Sequence, residues 1–457
     1  MPTTVERIHA LMQRGRGPLW CFGFVVGLAT GLGALAFAKL HRYWVATYWR
    51  RKVLRRAPRR RPTEEPGSDF KPIELKRSGS IVPGIEGLIG NTPLMRIASL
   101  SDLTGCEILG KAEYLNPGGS PKDRVALQII NEAEYNGLLV PNTGSWIFEG
   151  TVGSTGISLA TLAKAKGYNC CIIVPDDVAE EKAMLLRSLG AVVQAVRPRG
   201  IVDPRHFVNE ARARAQAWTP SENQPYARAF FADQFETEAN FDAHYQNTGP
   251  EIWRQTGGRV DAFVSGAGTG GTLAGVSAYL KGVADPAAGP PPLTVAADPL
   301  GSGVYNRIHF GVMYNATEAE GTRRRHQVDT VVEGIGLNRL THNLELGLDY
   351  IDTAIRVTDD EAVRMSRWLA AHDGLFLGSS SAVHCVAAVR TALRLKKQAP
   401  HPEDRPVVVT ILADSGARHL SKFQNDAIME ARGLSVVDDI SDILQETQEL
   451  DQHPSSL

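Results

Sequence analysis

The segment Asn116-Pro-Gly-Gly-Ser-Pro-Lys-Asp-Arg124 decides how the rest of the chain is read. Ser120 suits an N-cap, Pro121 suits the first helical position and Asp123 completes an approximate capping box, so a helix is expected to begin here. Val125, Ile129 and Ala133 then recur at four-residue spacing, and Asn136-Gly137 stops the pattern. Lys122 therefore falls in the first turn of a buried helix, at the positive end of its dipole. A cation is disfavoured there, which lowers the lysine pKa and helps supply a neutral amine for Schiff-base chemistry. A surface lysine near a helix start accounts equally well for this segment taken alone.

Outward from this point the chain alternates short apolar runs with amphipathic segments. A helix is expected over 156–166 and a strand over 169–174, followed by a helix over 179–189 and a strand over 191–196. This βαβ rhythm implies a parallel sheet with helices on both faces. A second such region runs from Val260 to the strand 407–412.

Three further segments carry candidate chemistry. Glu149-Gly-Thr-Val-Gly-Ser-Thr-Gly156 gathers glycines and hydroxyls just before a helix, where backbone N–H groups can receive a carboxylate. An ordinary glycine-rich turn explains it as well. Ser265-Gly-Ala-Gly-Thr-Gly-Gly-Thr272 follows an apolar strand and lets backbone approach a phosphate, with Thr269 and Thr272 offering hydroxyls. It also satisfies the dinucleotide pattern G-x-G-x-x-G. The acidic residue expected about twenty positions on is missing, however, because the next strand-end acid is Asp298. Val407-Val-Val-Thr-Ile-Leu-Ala-Asp-Ser-Gly416 is a buried strand delivering Asp414 and Ser415 to a carboxyl edge, where open α/β sheets place ligands. Either could face a heterocyclic nitrogen, and a simple turn fits as well.

Composition bounds the answer. The 457 residues carry 49 Lys plus Arg and 50 Asp plus Glu, so bulk charge does not point to nucleic acid. Five cysteines (Cys21, Cys106, Cys170, Cys171 and Cys385), an odd number with neither a C-x-x-C pair nor metal-ligand spacing, suit a reducing compartment, and no metal site is expected. From Pro18 to Ala38 there is no charged residue, long enough as a helix to cross a bilayer of roughly 30 Å. A transmembrane anchor over 18–38 is expected, preceded by a flank (1–17). The excess of basic residues after it places the large domain in the cytosol. Basic flanks on both sides resemble signal anchors of the mitochondrial outer membrane, with the endoplasmic reticulum as the other candidate. A basic Pro/Arg linker (39–80), a core (81–435) with a smaller domain near 125–235, and a polar acidic tail (436–457) complete the expected organisation.

In this order, the segments resemble the cysteine synthase branch of the fold-type II pyridoxal-phosphate enzymes, which also contains cystathionine β-synthase. Ile89-Gly-Asn-Thr-Pro-Leu94, Gln234-Phe235, Thr248-Gly-Pro-Glu-Ile-Trp253, Glu333-Gly-Ile-Gly336, Gly374-Leu-Phe-Leu-Gly-Ser-Ser-Ser381 and Asp414-Ser-Gly-Ala-Arg418 extend the likeness over about 85–430. The resemblance implies an α/β enzyme of two domains with open, mostly parallel twisted sheets, here with the N-terminal transmembrane helix added. It implies pyridoxal 5'-phosphate as cofactor, a homodimer, and β-replacement of acetate in O-acetyl-L-serine by sulfide to give L-cysteine. By the same resemblance Lys122 is the Schiff-base lysine. Gly268, Thr269, Gly270, Gly271 and Thr272 hold the phosphate, Ser415 faces the pyridine nitrogen, and Thr151, Thr155 and Gln234 receive the substrate carboxylate. The carboxylate loop departs from the family's Thr-Ser-Gly-Asn-Thr-Gly, with Ser154 standing where the asparagine would bond the cofactor's ring oxygen. The segment Tyr305–Val331, with Arg323, Arg324 and Arg325, is longer than the family's usual loop and is expected to cover the site or meet a partner. A serine dehydratase or other β-lyase, a cystathionine-forming enzyme and a membrane-tethered non-catalytic scaffold are the alternatives.

Overall fold

Val407–Leu412 is buried at all six positions, as a strand covered on both faces must be, and the larger sheet is built around it. The computed structural model describes residues 81–82, 84–284, 289–314 and 330–445, all within one compact unit, Asp69–Leu457. In chain order the strands are β1 (Leu94–Arg96), β2 (Glu107–Ala112), β3 (Trp146–Gly150), β4 (Asn169–Pro175), β5 (Val192–Val196), β6 (Ala229–Phe231), β7 (Ala262–Ser265), β8 (Leu293–Pro299), β9 (Thr353–Val357) and β10 (Val407–Leu412).

They form two sheets. The larger has the order β1-β2-β10-β7-β8-β9, with β1 antiparallel to β2 and every other pair parallel; the smaller, β5-β4-β3-β6, is wholly parallel. The chain enters the larger sheet with β1 and β2, builds the smaller with β3 to β6, then returns, so the smaller unit is an insertion in the larger. Register sets the functional edge. Val407 pairs with Glu107 and Leu412 with Ala112, while Val408 pairs with Ala262, so β2, β7 and β10 end side by side at one carboxyl edge.

The helices that position the site are α1 (Lys122–Tyr135), α2 (Ser154–Ala165), α3 (Glu180–Ser188), α4 (Glu238–Ala243), α5 (Gly271–Val283) and α6 (Ser379–Gln398). Ser154–Ala165 and Glu180–Ser188 lie within two residues of the ranges read from periodicity. Helix α1 starts at Lys122 with Pro121 in the cap position, one residue later than expected, and the Asp123 carboxylate turns back to accept from Gly118 N at 2.7 Å. Helix α6 is buried over its first fourteen residues, crossing beneath the larger sheet. Ile440 and Ile443 are also buried, so the core continues to pack as far as the C-terminal helix Ser441–Gln445.

One expectation is corrected here. Among the described residues no helix is long and apolar enough to cross a membrane, so the transmembrane element expected with this fold is not found. Residues 18–38, on which it was placed, lie outside the described residues, as do the linker residues up to 80, Arg323 to Arg325 and the end of the tail. A lack of charge is a property of the sequence alone, whereas a span requires an apolar helix of sufficient length.

Candidate active site

Lys122 opens α1 directly over a buried charge network. Arg124 lies 2.7 Å from both Glu113 and Glu251, and Lys111 lies 2.6 Å from Glu251. Two cations and two carboxylates balance, which is what lets four charges be held out of water. This anchors the first turn of α1, while the half-buried Lys122 takes no part in the network. Desolvation pushes its amine down to about 8, opposed by the charge of Asp414.

The loop after β3 carries the expected carboxylate receptor. Gly153, at φ +147°, carries the turn into α2, and Thr151 Oγ1 accepts from Gly153 N at 3.3 Å. The Thr155 hydroxyl donates to Gln234 Oε1, joining residues 79 positions apart. Gln234 N in turn donates to Glu149 Oε2 at 3.2 Å, and burial pushes that carboxyl up to about 8. Thr151, Thr155 and Gln234 are therefore brought together, with half-buried Ser154 as the first residue of α2.

Between β7 and α5 the loop 266–270 is a close-packed cradle. A Cβ on Gly268 would lie 2.1 Å from Gly334 O, one on Gly270 2.6 Å from Leu344 N, and one on Gly271 2.1 Å from Asn240 Oδ1. Gly270 also has φ +93°, so neighbours and backbone both require glycine there. Thr272 Oγ1 lies 3.0 Å from His244 Nε2, and Thr269 Oγ1 accepts from Asn240 Nδ2 at 2.8 Å. The positive end of the thirteen-residue α5 faces this cradle, which suits a phosphate. The dinucleotide alternative gains no acid here. Asp298 is buried and its carboxylate accepts from Tyr305 N at 2.7 Å.

Ser415 stands three residues beyond β10, where its Oγ accepts from Ala417 N at 3.2 Å and its backbone bridges Leu377. Next to it, Asp414 is paired with His419 at 2.9 Å. Burial alone would raise the Asp414 carboxyl, but the adjacent His419 holds it below the usual range.

Sequence reading did not reach His384, a polar residue in the otherwise apolar helical run Ala382-Val-His-Cys-Val-Ala-Ala388. Its Nδ1 donates to Ile411 O at 2.7 Å, which leaves Nε2 as an acceptor, and burial lowers its pKa to about 4 so that the ring is neutral. A Cβ on Gly266 would stand 2.9 Å from that Nε2. His384 Nε2, Asn240 Oδ1 and Asp414 Oδ1 are buried with no protein partner among the described residues. A glycine cradle at a helix N-terminus and an amine with a lowered pKa meet at one sheet edge. These residues fit pyridoxal phosphate.

Comparison with known proteins agrees. The family model described as pyridoxal-phosphate dependent enzyme matches residues 85–414. Cysteine synthase 2 of Neurospora crassa is 60% identical over 343 residues, covering 75% of this chain and 73% of that protein. Cysteine synthase 2 of Schizosaccharomyces pombe is 55% identical over 355 residues, covering 78% and 86%. Among solved structures, O-ureido-L-serine synthase superposes with a TM-score of 0.62 at 29% identity, covering 79% of this chain and 98% of that one. The O-acetylserine dependent cystathionine beta-synthase of Helicobacter pylori does so with a TM-score of 0.60 at 29% identity, covering 75% and 99%.

The chain belongs to the pyridoxal-phosphate-dependent enzymes, and within them to those of the cysteine synthase type. Its cofactor is pyridoxal phosphate. The family match covers residues 85–414 and no helix among the described residues is long and apolar enough to cross a membrane, so the expected membrane partner and the outer-membrane location are corrected together with the anchor that carried them.

Proposed function

We infer that this enzyme is an O-acetylserine sulfhydrylase, replacing the acetate of O-acetyl-L-serine by sulfide to release L-cysteine and acetate. The observation that carries the reading is that the 266–272 cradle of the larger sheet is tied through Asn240 to Gln234, and through Gln234 to Thr155 of the smaller sheet, while the Lys122 amine feels the charge of Asp414 at the end of β10. Pyridoxal phosphate supplies the electron sink that makes the substrate's α-proton removable and its acetate a leaving group.

The chain's own residues supply the rest. Lys122 Nζ would hold the cofactor and would take the substrate's α-proton. An amine with a pKa near 8 gives up a proton readily enough to serve as both acid and base near neutrality. Backbone N–H groups of Gly268, Gly270 and Gly271, with the hydroxyls of Thr269 and Thr272, would hold the phosphate. Ser415 would be the residue to meet the pyridine nitrogen, and a hydroxyl there would favour ring protonation less than a carboxylate does, restraining transamination relative to elimination and replacement. Thr151 and Thr155 would receive the substrate carboxylate with Gln234, and Ser154 would offer a short hydroxyl to the cofactor. The full-length protein, loaded with pyridoxal phosphate and given O-acetylserine and sulfide, is expected to form cysteine. Pyruvate without cysteine would instead establish a lyase.

A further inference from the structure

Asn240, on α4, joins the two halves of the site. Its Nδ2 donates to Gln234 O at 2.7 Å and to Thr269 Oγ1 at 2.8 Å, and the residue is fully buried. A backbone carbonyl can only accept, so the amide orientation is set by Gln234 O and both hydrogens of Nδ2 are used. Thr269 Oγ1 must then act as acceptor towards Asn240, and its own proton is left to be donated elsewhere. The Thr269 backbone is held from the other side, where Thr341 Oγ1 donates to Thr269 O at 2.8 Å. Gly271 gives Asn240 the room it needs, since a Cβ there would lie 2.1 Å from Oδ1.

We propose that Asn240 is a positioning residue that sets the polarity of the Thr269 hydroxyl, making it a donor to the cofactor phosphate, while holding the main chain of the substrate-binding Gln234. The proposal rests on the reading of 268–272 as the phosphate cradle and of Gln234 as a substrate ligand. It couples the two: one amide serves an anion site and, 2.7 Å away, the backbone of the carboxylate receptor. Asn343 supports the same backbone more weakly, with Nδ2 3.2 Å from Gln234 O and 2.7 Å from Phe235 O, so Gln234 keeps one donor when Asn240 is lost.

The test uses the full-length chain and pyridoxal phosphate itself as probe, with affinity read from the visible absorption of the bound cofactor. Asn240→Ala removes the donor and leaves Thr269 free to rotate, and a loss of about tenfold in affinity is expected. Asn240→Asp keeps the shape but forces Thr269 to donate to the new carboxylate, presenting lone pairs to the phosphate. A further loss of at least about fivefold is expected. Added charge alone would also weaken binding, so both variants are repeated with Thr269→Val. There the difference between the Asn240→Ala and Asn240→Asp backgrounds is expected to vanish, because no hydroxyl remains to be turned. Persistence of the full difference would assign it to charge and overturn the polarity claim, as would equal affinities of the two single variants. At saturating cofactor the KM for O-acetylserine should rise about threefold or more in Asn240→Ala with a smaller change in kcat; an unchanged KM overturns the coupling to Gln234. If Asn240→Ala melts well below the wild type without cofactor, Asn240→Leu, which keeps the volume and also removes the donor, takes its place with the same outcomes. A wild-type chain that binds no pyridoxal phosphate overturns the parent reading as well, whereas wild-type binding with unaffected variants overturns this proposal alone.

Discussion

His419 Nε2 lies 2.9 Å from Asp414 Oδ2, and the other ring nitrogen lies 3.5 Å from Glu333. Glu333 is also paired with Lys182, on α3 of the smaller unit, so the chain of charges runs from that unit to the residue preceding Ser415. Burial by itself would lower the His419 pKa, but the two carboxylates raise it above the usual value. Its contribution to stability is therefore fully present below about pH 6.5 and lost as pH rises through the raised value. His419→Gln is expected to cost about 3 kcal/mol at pH 6 and to remove that part of the alkaline decline in melting temperature. Parallel melting curves for wild type and variant across pH 6 to 9 would show that the ring is not charged in the fold.

Lys122 yields a second pH dependence, of opposite sense. Only the neutral amine attacks the cofactor carbonyl, so the rate of cofactor capture by the apoprotein should rise with pH and level off above about 8. An unperturbed lysine would keep accelerating towards about 10.4. Stopped-flow absorbance distinguishes the two, and a rate still climbing at pH 10 would mean that desolvation does not govern this amine.

Gly268→Ala should keep the fold at a cost of about 1–3 kcal/mol and bind pyridoxal phosphate at least about tenfold more weakly, because its new Cβ would press to 2.1 Å of Gly334 O and displace the cradle. Equal affinity with an intact fold would remove this loop from the phosphate site.

Ser154→Asn installs the asparagine of the loop Thr-Ser-Gly-Asn-Thr-Gly that this segment resembles. Ser154 is only half-buried, so the larger amide can be accommodated, and an added hydrogen bond to the ring oxygen is expected to shift the visible band of the bound cofactor. Affinity should rise by about threefold to tenfold. An unchanged band would mean that residue 154 does not reach the ring in this enzyme.

Legibility in the sequence followed the range of the interactions. Strand Val407–Leu412 and the helices of the smaller unit were readable because apolar periodicity is local, and the glycine loop at 266–271 because the steric demand for glycine leaves a direct trace in composition. Thr155 and Gln234 were brought together only through family resemblance, since nothing local ties residues 79 apart. The Arg124–Glu251 pair, 127 positions apart, and the Lys182–Glu333 pair, 151 apart, left no readable pattern. His384 did leave one, as the lone imidazole in a helix otherwise spaced for the core, although its contact with Ile411 O is tertiary. The uncharged run at 18–38 led to an anchor that has no counterpart among the described residues.

The central claim is most directly tested by following cysteine formation from O-acetylserine and sulfide by the full-length, cofactor-loaded protein beside its Lys122→Ala variant. The account predicts cysteine from the wild type, and from the variant a loss of turnover of at least about a thousandfold together with loss of the visible band of lysine-bound cofactor. Cysteine formed at a comparable rate by Lys122→Ala, or a wild-type protein that binds cofactor yet makes none, would contradict it.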